Sequence, residues 1–110
     1  MFARSKQGAV DVIAGDGPIK VEFIESLSEL FEECLAEGQP RVVMNLENVP
    51  LIDSSGLELL LDIQENYQQR GGALKLAAAN PLCQEILELT EVNQHVELYP
   101  DPSSAVSSFV

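Results

Sequence analysis

The sequence predicts an α/β fold: a mixed, mostly parallel sheet of about four to five strands with about four helices, opened by a β-hairpin. Strand-like and helix-like segments alternate in the order β, β, α, β, α, β, α, β, α, which implies crossover connections between parallel strands. Two short runs, RVVMNL and LKLAAA, are apolar nearly throughout, as central strands covered on both faces must be. Asn80-Pro81 and Asp101-Pro102 each supply a helix cap followed by a first-turn proline.

Taken in order, AVDVIAGDGPIKV (residues 9–21) reads as a strand, a turn at Gly15-Asp16-Gly17-Pro18 and a second short strand. Leu27, Leu30, Phe31, Cys34 and Leu35 follow at helical spacing, with Ser26 and Glu29 in a capping-box pattern at the start and Gly38 at the end. Arg41–Leu46 is a buried strand, and the loop ENVPLID follows it. From Ser55 to Gln69, Leu57, Leu60, Leu61 and Tyr67, flanked by Leu59 and Ile63, form a broad apolar helix that stops at Gly71-Gly72. Leu74–Ala79 is the next strand. A helix carrying Leu82, Cys83, Ile86, Leu87 and Leu89 follows, then a short strand at Val96–Tyr99 and a last helix bearing Ala105, Val106 and Phe109.

With 110 residues, 45% hydrophobic and 22% charged, the chain is expected to be one globular domain over residues 1–110. Six basic against eighteen acidic residues leave a net charge of −12, which opposes binding to nucleic-acid phosphates and to anionic lipid. Neither a signal-peptide core nor a run of about 18 apolar residues occurs, so no direct membrane insertion and a cytoplasmic location are expected. Cys34 and Cys83 lie within apolar helical patterns and read as buried, reduced thiols.

Enzymatic motifs are weak. A nucleophile elbow needs glycine two positions before and two after its serine; around Ser54 these positions hold Ile52 and Gly56, around Ser55 they hold Asp53 and Leu57. The single histidine, His95, gives a Ser-His pair little support, so a small serine hydrolase is a distant alternative. Two separated cysteines and one histidine make no zinc spacing, Gly15-Asp16-Gly17 lacks the pattern of a phosphate-binding loop, and no cofactor is expected.

The most informative stretch is LIDSSGLELLL, residues 51–61, at the carboxyl end of a strand, where α/β sheets carry their functional edge. Ser55 with Glu58 matches a capping box worth about 1 kcal/mol. Gly56 in the first helical turn costs about 1 kcal/mol relative to alanine, which suggests that something approaches closely there. Asp53 and Ser54 are left without a structural reason. A phosphoryl group on Ser54 would add roughly −1.5 to −2 charge, favoured by the helix N-terminus, disfavoured by Asp53, and able to repel a partner fitted to the unmodified surface.

The segment NLENVPLIDSSGLELLL resembles the signature of STAS domains, specifically the stand-alone bacterial anti-sigma factor antagonists, and GGALKLAAAN, ILELTEV and VELY extend the likeness over nearly the whole chain. The resemblance implies a STAS-like fold and a non-enzymatic binding protein. It implies that Ser54, the serine after the aspartate, is phosphorylated by an anti-sigma factor serine kinase and restored by a serine phosphatase. The unphosphorylated form would bind the kinase and free its sigma factor; Asp53, Ser55, Gly56 and Leu57 complete the motif. Members of the family often carry an acid where this chain has Lys20, which bears on partner contacts from that loop. Related STAS domains serve as subunits of transporters or sensory scaffolds, and this is the main alternative.

Overall fold

The structure, a computed structural model, describes residues 1–35 and 38–109. Among these residues five strands form one sheet in the order β1-β2-β3-β4-β5: β1 Phe2–Gln7, β2 Val10–Asp16, β3 Arg41–Asn48, β4 Ala73–Ala77 and β5 Glu97–Tyr99. The first pair is antiparallel and the others are parallel. Among the described residues four α-helices accompany them: α1 Ile24–Glu33, α2 Ser54–Gln69, α3 Pro81–Leu89 and α4 Pro102–Ser107. The predicted fold class and element order are therefore found.

The opening hairpin lies earlier than expected. Its turn is Gly8-Ala9, with Gly8 at φ +62°, and β2 continues through Gly15 to Asp16, where its register against β3 shifts between Ala14 and Asp16. Gly15 is needed for close approach, since a Cβ there would lie 2.0 Å from the Met1 carbonyl oxygen. The expected second strand shrinks to one parallel bridge between Ile19 and Ile52. β1 is an edge strand with Arg4, Ser5, Lys6 and Gln7 in its sequence, and it lacks the apolar alternation of a half-buried strand.

Alternation along β3 explains both layers. Val42, Met44 and Leu46 point to the face covered by α1, α2 and α3, where they pack with Ile13, Leu27, Phe31, Leu60, Tyr67, Leu74 and Leu87. Val43 points the other way, into a smaller cluster with Val10, Val12, Ala77 and Ala105 beneath α4. Each fully buried Leu, Ile, Val, Met or Phe in these layers contributes about 1.5–3 kcal/mol. Cys34 and Cys83 are buried and unbridged.

Helix boundaries show where local rules gave way. α1 begins at Ile24, not at Ser26, because a 3-10 turn at Val21–Phe23, closed by the Phe23 N–H to the Lys20 carbonyl at 2.8 Å, leads directly into it. Ser26 lies inside the helix and its hydroxyl donates back to the Phe23 carbonyl. The last turn tightens through the Leu35 N–H to the Glu32 carbonyl, and the helix ends at Glu33, short of the expected Gly38; residues 36 and 37 between them lie outside the described residues. Asn80 and Asp101 cap α3 and α4 as read, each accepting an N–H three residues on at 2.7 Å.

Candidate functional site

The site is the carboxyl edge of β2 and β3. After β3 the Val49 N–H closes a tight turn onto the Leu46 carbonyl, which sends Pro50 to Asp53 back past the loop that follows β2. Three bonds join the two loops: Gly17 N–H to the Asn48 carbonyl, Ile19 N–H to the Leu51 carbonyl, and Asp53 N–H to the Ile19 carbonyl, at 3.2, 3.0 and 3.0 Å. Asn80 supports the turn from the other side, donating through Nδ2 to the carbonyls of Val49 and Pro50.

Asp53 completes the junction. Its Oδ1 accepts the Gly56 N–H at 2.9 Å, which makes it the N-cap of α2, and its Oδ2 accepts the Val21 N–H at 3.1 Å. One carboxylate thus starts the helix and clamps the neighbouring loop. This corrects the expected capping box: the cap is Asp53, Ser55 is the second residue of the helix, and no hydrogen bond from Glu58 returns to it among the described residues. A carboxylate is the better cap here because it complements the helix dipole and can accept from two donors at once.

Gly56 also acquires its reason. A Cβ at this position would sit 2.7 Å from the Ile19 Cγ2, 2.8 Å from the Ile19 carbonyl oxygen and 2.8 Å from the Ile52 Cγ2. The close approach anticipated from sequence is therefore made by the chain's own Ile19 loop. Leu57 is half-buried and packs against the core.

Ser54 remains. It is the first residue of α2 and exposed, and its Oγ finds no hydrogen-bond partner among the described residues. The structure brings Asp53 and Gly56 into direct contact, turns Leu57 inward and leaves Ser54 facing solvent beside them. Residues that sequence reading passed over are Val21 and Ile19, which meet the motif from across the fold, and the exposed apolar side chains of Val21, Leu51 and Leu82 along the same edge. Lys20 lies in this loop, with its Nζ 3.6 Å from Glu22 Oε1.

His95 is not part of this edge. Its carbonyl accepts from Gln64 Nε2, ten residues beyond Ser54 along α2 and hence about 15 Å away at 1.5 Å per residue. Among the described residues no group of three or more His, Cys, Asp or Glu could hold a metal ion, and no helix is long and apolar enough to cross a membrane.

Comparison with known proteins places this geometry. A Thermotoga maritima protein assigned as an anti-sigma factor antagonist is 29% identical over 77 residues, 70% of this chain and 68% of that one. The crystal structure of a Thermotoga maritima protein assigned to the same class superposes with a TM-score of 0.90, covering 97% of this chain and 92% of that chain at 23% identity. The Bacillus cell-fate determinant SpoIIAA, solved in its phosphorylated form, gives a TM-score of 0.75 at 16% identity with both chains fully covered, at 100% each. The murine anion transporter Slc26a9 contains the same fold, with a TM-score of 0.78 and 14% identity over 93% of this chain but only 18% of the transporter. The STAS domain sequence pattern matches residues 3–105, and the chain belongs to the STAS domain family.

Proposed function

We propose that this STAS domain is an anti-sigma factor antagonist switched by phosphorylation of Ser54. The observation that carries the reading is the division of roles at the start of α2: Asp53 and Gly56 are committed to intramolecular contacts, whereas the Ser54 hydroxyl is exposed with no partner among the described residues. The Thermotoga relative, named as an anti-sigma factor antagonist, supports the antagonist role, and the phosphorylated form of SpoIIAA supports the modification.

In this reading the protein is a substrate and a docking surface, not an enzyme, and it acts in the cytoplasm. The partner is an anti-sigma factor that is also a serine kinase, which supplies ATP and magnesium. Ser54 Oγ attacks the γ-phosphorus, an O–P bond forms as the bond to the departing ADP oxygen breaks, and the hydroxyl proton passes to a base on the kinase. A serine phosphatase restores the hydroxyl by directing water at the same phosphorus.

The phosphoserine carries roughly −1.5 to −2 charge in place of a neutral hydroxyl. It then faces the nucleotide phosphates still held by the kinase, and like charges at that distance oppose the complex. The unmodified form binds the kinase and frees its sigma factor; the modified form lets go.

The direct test is incubation with the serine-kinase anti-sigma factor of the same genome and ATP, followed by mapping of phosphate by mass spectrometry. Modification of Ser54, abolished in Ser54→Ala, is expected. A stable complex in which Ser54 stays unmodified would favour the second reading, a constitutive STAS subunit of a transporter or scaffold, to which the likeness to Slc26a9 lends support.

A further inference from the structure

We infer that the groove between α1 and α2 is a docking site for a cationic amphipathic helix of a protein partner. The inference rests on the partner-binding reading of the Ser54 edge and names a second contact surface beside it.

The groove measures about 610 Å³ and opens beside Ser55, the neighbour of Ser54. Val21, Ile24 and Leu59 give it an apolar lining, and Val21, whose amide is held by Asp53, is 66% exposed. Glu25, Glu29 and Glu32 lie along the α1 wall at helical spacing, with Glu58 and Asp62 on the α2 wall.

None of the chain's cations lines this groove, and among the described residues none of these five carboxylates has an ion-pair partner. Arg4 pairs with Asp11 and with Glu33 at the end of α1, Lys20 with Glu22 and Lys75 with Glu97, and none of these four carboxylates lines the groove. Like charges three and four residues apart on a helix repel, so both walls carry an unfavourable arrangement that the fold itself does not relieve. A helix presenting leucine-like side chains to the floor and Lys or Arg to both rims would relieve it and cover the apolar strip.

The groove therefore supplies attraction common to both states of Ser54, while the phosphoryl group decides release at the kinase active site. Affinity and switching reside in adjacent but separate surfaces.

The test is titration of ¹⁵N-labelled protein with a synthetic Leu/Lys amphipathic helical peptide and with its Leu/Glu counterpart. Amide shifts confined to the groove-lining residues are expected with the Leu/Lys peptide alone. The double variant Glu25→Lys/Glu58→Lys should weaken binding at least about tenfold, the neutral Glu58→Gln less so, and Glu85→Lys/Glu88→Lys on α3, which changes net charge equally, should leave it within about twofold. Well-dispersed spectra of each variant establish that it is folded.

Absence of binding, shifts scattered over the acidic surface, or equal loss in the two double variants would overturn the inference. Ser54→Asp should retain the peptide, so the groove can fail while Ser54 phosphorylation stands, and the reverse.

Discussion

Asp53→Ala removes the cap of α2 and the clamp on the Val21 loop in one step. Loss of an aspartate N-cap costs about 0.5–2 kcal/mol, typically about 1. The Val21 N–H loses a charged acceptor at 3.1 Å, but this bond is solvent-exposed and water can replace part of it, so a further contribution of about 1 kcal/mol is appropriate. The sum is about 2 kcal/mol, or roughly 8 °C in melting temperature for a domain of this size. Asp53→Asn keeps an oxygen for the Gly56 N–H but cannot accept from both donors, and should cost about half as much. Ser55→Ala should cost less than about 0.5 kcal/mol, since Ser55 does not cap the helix. Urea unfolding followed by far-UV circular dichroism measures all three, and hydrogen exchange at the Val21 amide reports the clamp separately. If Ser55→Ala proved the costly variant and Asp53→Ala nearly neutral, the helix would be capped by the Ser55–Glu58 box and the account of this junction would be wrong.

Three further outcomes follow from the same geometry. Gly56→Ala gains about 1 kcal/mol in helix propensity yet should destabilise by about 1–3 kcal/mol net, because its methyl would press on the Ile19 backbone; urea midpoints decide, and a stabilised variant would contradict the close packing. Burial, reinforced by nearby Asp11, pushes the Cys34 thiol up to about 11. The folded state then holds its proton more tightly than the unfolded chain, so this contribution is intact below about pH 9 and is lost as pH rises towards 11. Burial moves the Tyr67 hydroxyl in the same direction, so chemical denaturation at stepped alkaline pH should show falling stability, and a thiol reagent at pH 8 should label Cys34 and Cys83 only on unfolding. Finally, His95→Ala should leave Ser54 phosphorylation unchanged, since about 15 Å of helix separates the two; loss of phosphorylation in a folded variant would place His95 in the site.

What was legible in the sequence was what depends on neighbours along the chain. The periodicity of Leu57, Leu60 and Tyr67 located α2, the apolar run of Val42, Val43 and Met44 located a strand covered on both faces, and Asn80-Pro81 and Asp101-Pro102 marked two helix starts correctly. Apart from the start of α1, which a local 3-10 turn moves forward to Ile24, the misreadings involve partners distant in sequence. Asp53 and Ser55 are both good caps by type, and the choice between them is made by Val21, an amide 32 positions away. Gly56 announces a close approach, but only the parallel bridge between Ile19 and Ile52 reveals what approaches. β1 escaped because FARSKQ is a polar edge strand, recognisable only by its pairing with Val10–Asp16. Ser54 stood out by elimination, since its neighbours could be given structural roles, and its exposure follows from their burial and bonding.

The central claim is that phosphate on Ser54 changes what this surface binds. Calorimetric titration of the anti-sigma factor with the unmodified protein, Ser54→Ala, Ser54→Asp and the enzymatically phosphorylated form measures it directly. The account predicts similar affinity for the first two and a loss of at least tenfold, about 1.4 kcal/mol, for the last two. Equal affinity across all four, with each correctly folded, would contradict it.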